Sequence, residues 1–246
     1  MWTRTLLKTN AQQVLSARWT TAILVVLAYT LLTGGTPTVS LDYLLNGNLS
    51  ESMLWIAGGS ALLTVLFTIF VINPMAVGLA RFFMENRMGE APFATLFGAF
   101  HREDYKSVTL AMLWTNVKIF LYYLLLIIPG VIKSYEYYLV PYLLSENPQM
   151  SASRAQELSR RIMDGEKINV FVLQLSFLGW GIGLALISAF LTLMLPILSW
   201  PLSILASVLL GLYMNATFAE FYAAMREKAF AMNLTDPQEL GGFIAY

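Results

Sequence analysis

Polar side chains inside long apolar stretches are the residues of this sequence best placed to do chemistry. Lys118 lies ten residues beyond Val108, where one apolar stretch begins, and helical rise would put it ~15 Å into a membrane. A lysine at that depth costs about 2.5 to 3.5 kcal/mol unless a partner, a water-filled cavity or snorkelling relieves it. The other polar candidates on the same or neighbouring stretches are Asn116, Glu136, Gln174 and Asn215.

Two interpretations of these five residues are open. They could line a polar cavity that binds a ligand or conducts an ion, because ionisable residues at membrane depth often mark such pathways. They could equally satisfy one another structurally. Glu136 is the only acid in the stretch that follows Lys118. Its predicted depth differs from that of Lys118 by roughly 7 to 8 Å, so the lysine stem would have to cover part of the gap.

Recognisable catalytic and metal-binding patterns are absent from the sequence, and we expect neither enzymatic activity nor a cofactor. The chain has no cysteine and one histidine, His101, which removes thiolate chemistry and most imidazole chemistry. Gly58, Gly59 and Ser60 superficially resemble an intramembrane serine nucleophile, but that chemistry needs a nearby base. Helix packing explains the triplet better. The 15 basic and 15 acidic residues balance, which argues against nucleic acid as a partner.

Small residues recur at helical spacing in the last two apolar stretches. Gly179 and Gly183 form a Gly-x-x-x-Gly pattern, and small or polar residues recur every four positions further on, at Ser203, Ser207, Gly211 and Asn215. Such faces let membrane helices approach closely. We predict that they pack the last two helices together as a hairpin, with a homodimer face as the alternative; the oligomeric state stays open.

A basic segment precedes the apolar stretch that begins at residue 168. Its cations are Arg154, Arg160, Arg161 and Lys167. Positive charge in a loop marks the cytoplasmic side of a membrane protein, and this orientation signal is the favoured interpretation. The alternative is recognition of anionic lipid headgroups, worth about 1 kcal/mol per cation near the membrane surface.

The composition requires that lipid replace water around much of the chain. Among 246 residues, 57% are hydrophobic and 12% are charged, whereas a soluble domain carries about 25% charged residues. We therefore predict an all-α transmembrane bundle that follows an amphipathic interfacial helix at residues 1–19. The embedded region covers residues 20–222 and a cytoplasmic tail covers 223–246. Its six predicted spans are residues 20–32, 53–80, 108–128, 131–144, 168–195 and 197–222.

The charge distribution orients these spans. Residues 33–52 contain no lysine or arginine, whereas residues 81–107 and 145–167 are rich in them, so both termini should be cytoplasmic. Two crossings between the basic segments satisfy this rule, with a turn at Pro129 and Gly130, where proline and glycine favour a break. The segment 131–144 contains the charged residues Lys133 and Glu136, and a re-entrant or interfacial segment is its alternative.

A series of motifs begins at Pro74. It comprises Gly78-Leu-Ala-Arg81, Gly89-Glu-Ala-Pro92, Ile127-Ile-Pro129-Gly130, Glu146-Asn147-Pro148, Leu175-Ser-Phe177-Leu-Gly179-Trp180 and the segment from Ala216 to Tyr222. Together these motifs resemble DUF975, a family of bacterial integral membrane proteins of unknown function. That family is distantly similar to the membrane domain of some glycerophosphodiester phosphodiesterases. The resemblance implies a multi-spanning protein of the bacterial cytoplasmic membrane and supplies no catalytic residue.

The sequence favours a non-enzymatic membrane protein that binds or helps move an amphiphile, a lipid or a peptide, with a transporter as a conceivable partner. The alternative is a small transporter or channel whose polar pathway surrounds Lys118. Water access to Lys118 would favour the second function, whereas a co-purifying lipid or protein would favour the first.

Overall fold

The structure is a computed structural model that describes residues 2–34, 51–194, 197 and 199–243. Over these residues the chain is an all-α bundle. Its α-helices, in chain order, are α1 (Arg4–Gly34), α2 (Glu51–Phe67), α3 (Asn73–Met88), α4 (Arg102–Leu125), α5 (Ile127–Glu136), α6 (Val140–Glu146), α7 (Ala152–Ile162), α8 (Lys167–Met194) and α9 (Ser199–Ala231). A π-helical turn (Thr68–Ile72) joins α2 to α3, and a 3-10 helix (Phe93–Phe100) precedes α4.

Five helical stretches in the described part of the chain are long and apolar enough to cross a membrane. They are Arg4–Gly34, Ala57–Met88, Glu103–Leu125, Lys167–Met194 and Trp200–Ala231. Their apolar side chains are largely exposed toward the ends away from the core, as at Leu62, Leu125 and Leu193. The predicted loop at residues 33–52 lies mostly outside the described residues.

The protein core forms where α3, α6, α7 and the second half of α9 meet; we call this region the helical base. Its most buried large side chains include Phe82 on α3, Leu143 on α6, Leu158 on α7 and Tyr222 on α9. Long apolar helices extend from this base. The base holds the bundle together through protein contacts, while the extended helices leave their apolar surface available to lipid.

The N-terminal helix differs from the predicted surface helix. Residues 4–34 form one helix with a kink at Arg18, whose φ and ψ are −141° and 43°, close to the boundary predicted at residue 19. Leu7 and Ala11 are buried, and the ring of Trp2 packs edge-on against Phe221 of α9 at 5.1 Å. Part of the apolar face that suggested a membrane surface is therefore covered by protein, although Leu6 on that face is 50% exposed.

The segment 131–144 also differs from the predicted fourth span. It is divided between α5 and α6, which are 10 and 7 residues long. The turn after α4 falls at the extended residue Leu126 (φ −162°, ψ 152°) and not at Pro129 and Gly130. Pro129 fits the first turn of α5 because backbone N–H groups there need no intrahelical acceptor.

The C-terminal residues pack on the base, in contrast to the predicted tail. Helix α9 continues to Ala231, and Leu240 beyond it is fully buried. Arg154 on α7 binds Glu239 through its Nε and one terminal nitrogen, both at 2.7 Å. Hydrogen bonding to Arg154 keeps the pKa of the Glu239 carboxyl below its ordinary value, although burial opposes this. The pair fastens the end of the chain to α7.

Candidate functional site

The five predicted pathway residues are dispersed over separate contacts. Lys118 donates from Nζ to Oε1 of Gln156 on α7 at 2.5 Å, and Gln156 donates to Thr115 at 3.0 Å. Asn116 instead donates to Asn73 of α3 at 2.9 Å. Lys118 is thus held by polar groups, as expected, but its partner comes from a segment that the sequence placed in a loop.

The remaining three residues have other partners. Glu136 accepts from Lys133 at 2.5 Å and from Lys167 at 2.7 Å, so the proposed pairing of Glu136 with Lys118 is wrong. Gln174 accepts from the hydroxyl of Tyr135, and Asn215 donates to a carbonyl of its own helix. None of the five lines the groove described below.

Removing the Lys118 ammonium should expose the structural role of this contact. Gln156 is only 3% exposed, so Lys118→Met leaves a buried acceptor unpaired and should cost about 1–3 kcal/mol. Thr115 keeps its bond to Ala111. The double variant Lys118→Met/Gln156→Met removes both polar groups and should regain most of the loss. Thermal unfolding in detergent measures both effects, and a double variant no more stable than Lys118→Met would contradict this expectation.

The small residues do not form the predicted contact between the last two helices. A Cβ placed on Gly179 or Gly183 meets no described atom within 4 Å, and Ser203 and Ser207 are exposed and donate to carbonyls of their own helix. Gly211 faces α1 instead, where an added Cβ would lie 3.3 Å from Val26. Helices α8 and α9 do pack against each other, but these small residues do not form that contact, because helical spacing identifies a face and not the neighbour that covers it.

Most of the basic headgroup candidates are already neutralised. Arg154 pairs with Glu239, Lys167 pairs with Glu136, and Arg161 pairs with Glu157 on the next turn of α7. Arg160 is exposed and forms no ion pair with a described residue. The segment therefore offers one uncommitted cation to a lipid headgroup, and three of its four charges serve protein contacts.

An apolar groove between α1, α8 and α9 is a candidate ligand site. Its volume is about 540 Å³, within the range of small-molecule sites. We call it the α1–α8 groove; its lining residues are Gln12, Leu15, Ser16, Trp19, Trp180, Leu184, Leu209, Leu210 and Tyr213. Six of these nine side chains are leucine or tryptophan, so the groove fits an apolar chain.

The packing of three helices creates this groove. Helices α1 and α8 both pack against α9, which forms the floor through Leu209, Leu210 and Tyr213. Gly179 and Gly183 on α8 line an adjoining cavity of about 390 Å³ that shares Trp180 and Leu184 with the groove. The two glycines thus leave space along one wall, where side chains would narrow it.

The kink in α1 separates two parts of the groove wall. The guanidinium of Arg18 donates to the backbone carbonyl of Asn86 on α3 at 2.9 Å, and this contact holds α1 at the kink. Ser16 lies before the kink and Trp19 lies directly after it. The same groove is therefore bordered by polar side chains before Arg18 and by an indole after it.

Polar and basic residues follow the same face of α1 toward its N-terminus. Arg4, Lys8, Gln12 and Ser16 are spaced four residues apart, which places them on one helical face. Gln12 donates to the hydroxyl of Tyr213 at 3.4 Å. Lys8 bridges to α8, with its Nζ 3.4 Å from the Ser176 carbonyl oxygen and 4.3 Å from the centre of the Phe177 ring. Lys8 and Arg4 thus lie one and two helical turns beyond Gln12, outside the lining of the groove.

A second, polar cavity lies beyond Lys8. Its volume is about 370 Å³, and Arg4, Glu166 and Asn169 are among the residues that line it. Burial raises the pKa of the Glu166 carboxyl, but hydrogen bonds from Asn169 and Lys228 outweigh that effect and leave the pKa below its ordinary value. Glu166 pairs with Lys228 at 3.0 Å, and neither Arg4 nor Lys8 forms an ion pair with a described residue.

The sequence contained part of the signal for this site. The four-residue spacing from Arg4 to Ser16 was visible as a loose amphipathic pattern, and Trp19 and Trp180 are residues typical of membrane interfaces. The approach of these helices to one another was not visible, because it depends on the kink at Arg18 and on packing against α9.

Comparison with known proteins identifies a family but no activity, ligand or partner. A family model described as "Protein of unknown function (DUF975)" matches residues 60–229, more than half of the chain. Neither a curated protein nor a solved structure matches the chain.

Proposed function

Since the chain belongs to the DUF975 family, whose description names no activity, its role must be sought in its own geometry, and we propose that it binds an anionic amphiphile in the α1–α8 groove. The proposed protein is a non-enzymatic component of the bacterial cytoplasmic membrane with both termini in the cytoplasm. The five apolar helices support membrane insertion, and the basic segments between them support the orientation.

One observation carries the proposal: a groove lined by leucine and tryptophan lies along the same face of α1 as two cations, Lys8 and Arg4. Apolar lining favours an acyl chain, and Arg4 and Lys8 favour a phosphate or carboxylate at its end. Twelve residues separate Arg4 from Ser16, which corresponds to about 18 Å of helix. A ligand with an anionic head and a long apolar chain matches both the chemistry and the length of this surface.

The alternative pathway around Lys118 receives less support. The ammonium of Lys118 already has Gln156 as a partner, and Glu136 already has two lysines. These contacts account for the polar groups without a ligand or an ion. A helper role beside a transporter, or transfer of the bound amphiphile between membranes, would be an extension of binding and is proposed only on that basis.

Lipid analysis of the purified protein tests the proposal. Protein extracted in mild detergent should carry lipid enriched in anionic headgroups relative to the whole membrane, as measured by native mass spectrometry. Arg4→Gln should lower that enrichment about fivefold, since one cation contributes about 1 kcal/mol. Arg160→Gln on α7 is a matched control, because both arginines are exposed. An equal loss in both variants would indicate surface charge in general and would contradict a headgroup site at Arg4.

A further inference from the structure

Helices α4 and α5 form an antiparallel hairpin with an unusually apolar tip. The turn consists of Leu126 alone, between Leu125 at the end of α4 and Ile127 at the start of α5. The five consecutive residues 124–128 are all leucine or isoleucine, and all are highly exposed. Such a continuous apolar surface needs a partner, since soluble surfaces rarely expose one.

The returning arm of the hairpin is short. Helix α5 has 10 residues and therefore rises about 15 Å, whereas the hydrocarbon core of a bilayer is about 30 Å thick. Two contacts at the end of α5 place it beside the beginning of α8: Glu136 binds Lys167 at 2.7 Å, and the hydroxyl of Tyr135 binds Gln174 at 2.5 Å. The hairpin thus returns to the level of the first turns of α8.

The length of the hairpin can be compared with that of its neighbour α8. From Gln174 it continues for twenty residues to Met194, about 30 Å. From Tyr135, its contact partner, α5 extends only nine residues back to Leu126, about 14 Å. The tip of the hairpin therefore ends about 16 Å short of the far end of α8.

Comparison with helix α2 also shows, independently, that the hairpin is short. Asn116 of α4 binds Asn73 at the start of α3, and the helical segment from Asn73 back to Glu51 covers twenty-two residues, about 33 Å. From Asn116 to Leu125, α4 has only nine further residues, about 14 Å. Both neighbours thus extend about twice as far from the shared contact as the hairpin does.

We infer that the α4–α5 hairpin is re-entrant: it enters the cytoplasmic leaflet, ends near the middle of the bilayer and returns to the cytoplasmic side. The partner of its apolar tip is the acyl-chain region of that leaflet. This inference rests on the proposed membrane insertion of the bundle and is independent of whether the α1–α8 groove binds a ligand.

Part of the backbone at the turn is hydrogen-bonded within the hairpin. Backbone groups in hydrocarbon must be hydrogen-bonded within the protein. The Leu126 N–H donates to Tyr122, the Gly130 N–H donates to Leu126, and Pro129 has no N–H to satisfy. Gly130 also lets the arms approach, because a Cβ there would lie 2.4 Å from the Tyr123 ring. Pro129 and Gly130 therefore favour the hairpin from positions inside α5: the proline has no N–H to satisfy, and the glycine allows the two arms to approach.

The distribution of basic residues agrees with a hairpin that enters and leaves on the cytoplasmic side. A hairpin that enters and leaves on one side keeps the basic segments 81–107 and 145–167 together on the cytoplasmic side, as the charge rule requires. Lys118 lies eight residues before Leu126, about 12 Å from the tip. That position is nearer the helical base than the midplane and explains how Lys118 reaches Gln156 on α7.

Spin labels at three equally exposed positions test the inference. Ile168, Ile127 and Leu193 are 75%, 74% and 79% exposed and would mark the cytoplasmic end, the hairpin tip and the far end. The natural chain has no cysteine, so single-cysteine variants in liposomes carry one label each. We expect the label at Ile127 to show the highest collision rate with oxygen and the lowest with a water-soluble nickel complex.

The possible outcomes distinguish a wrong depth of the hairpin from a wrong proposal of membrane insertion. Accessibility of Ile127 to the nickel complex equal to that of Leu193, with labelling by an impermeant external thiol reagent, would show a complete crossing and overturn the inference. Collision rates at Ile127 equal to those at Ile168 would place the tip at the cytoplasmic surface and would also overturn the inference. Water exposure of all three positions would instead refute the proposed membrane insertion.

Discussion

Replacing Ser16 by tryptophan should deprive the protein of its bound amphiphile without disturbing the fold. Ser16 lines the α1–α8 groove, and an indole at this position would occupy space near the junction of its polar and apolar parts. Displacing about five ligand atoms at ~0.3 kcal/mol each should lower affinity about tenfold. Native mass spectrometry of the purified variant, with the wild type prepared identically, measures the retained ligand.

The chain offers a matched control for this substitution. Ser203 on α9 is exposed like Ser16, and each hydroxyl donates at 2.8 Å to the carbonyl three residues earlier in its own helix. Ser203 does not line the groove. Ser203→Trp should therefore retain the ligand. Equal retention by both variants, or equal loss, would show that the groove does not determine binding.

Gly78→Ala should be the most destabilising small substitution in the helical base. A Cβ at Gly78 would lie 2.0 Å from the carbonyl oxygen of Leu96 and 3.2 Å from that of Thr95. Both atoms are backbone, so a rotamer change cannot relieve the clash, and α3 must separate from the 3-10 helix. We expect a loss of about 3 kcal/mol and a thermal transition lower by about 10 °C.

Thermal unfolding followed by circular dichroism, together with the yield of monodisperse protein, measures this loss. Gly98→Ala is the control, because it lies in the 3-10 helix itself and a Cβ there meets no described atom within 4 Å. It should change the transition by no more than about 1 °C. A Gly78→Ala protein as stable as Gly98→Ala would contradict the close approach of α3 to this segment.

The sequence predicted the class of fold because hydrophobic length is a local property. Long apolar stretches around Leu24, Leu62 and Leu186 become the long helices that composition required. The division of residues 131–144 into α5 and α6 was not predictable in the same way. That segment is mostly apolar but contains Lys133 and Glu136. Pro141 lies in the first turn of α6, a position that proline favours, and is the one local signal of the break near Tyr137.

Polar partners were the least predictable feature. Lys118 and Gln156 are 38 residues apart, and Gln156 belongs to a segment that was predicted to lie on the cytoplasmic side, outside the membrane spans. The Gly-x-x-x-Gly pattern at Gly179 and Gly183 was visible, yet these glycines border a cavity and make no close contact with a described neighbour. Spacing determines which residues share a face, whereas tertiary packing determines what that face meets.

Photo-crosslinking from the groove tests amphiphile binding most directly, because it reports which lipid is at one position in an intact membrane. A benzophenone amino acid at Leu184 would sample the α1–α8 groove, whereas the same group at Leu186, which is exposed on α8 and outside the groove, would sample bulk lipid. We expect adducts at Leu184 that are enriched in one anionic amphiphile and lost in Ser16→Trp. Adducts with the same lipid composition at both positions would contradict amphiphile binding in the groove.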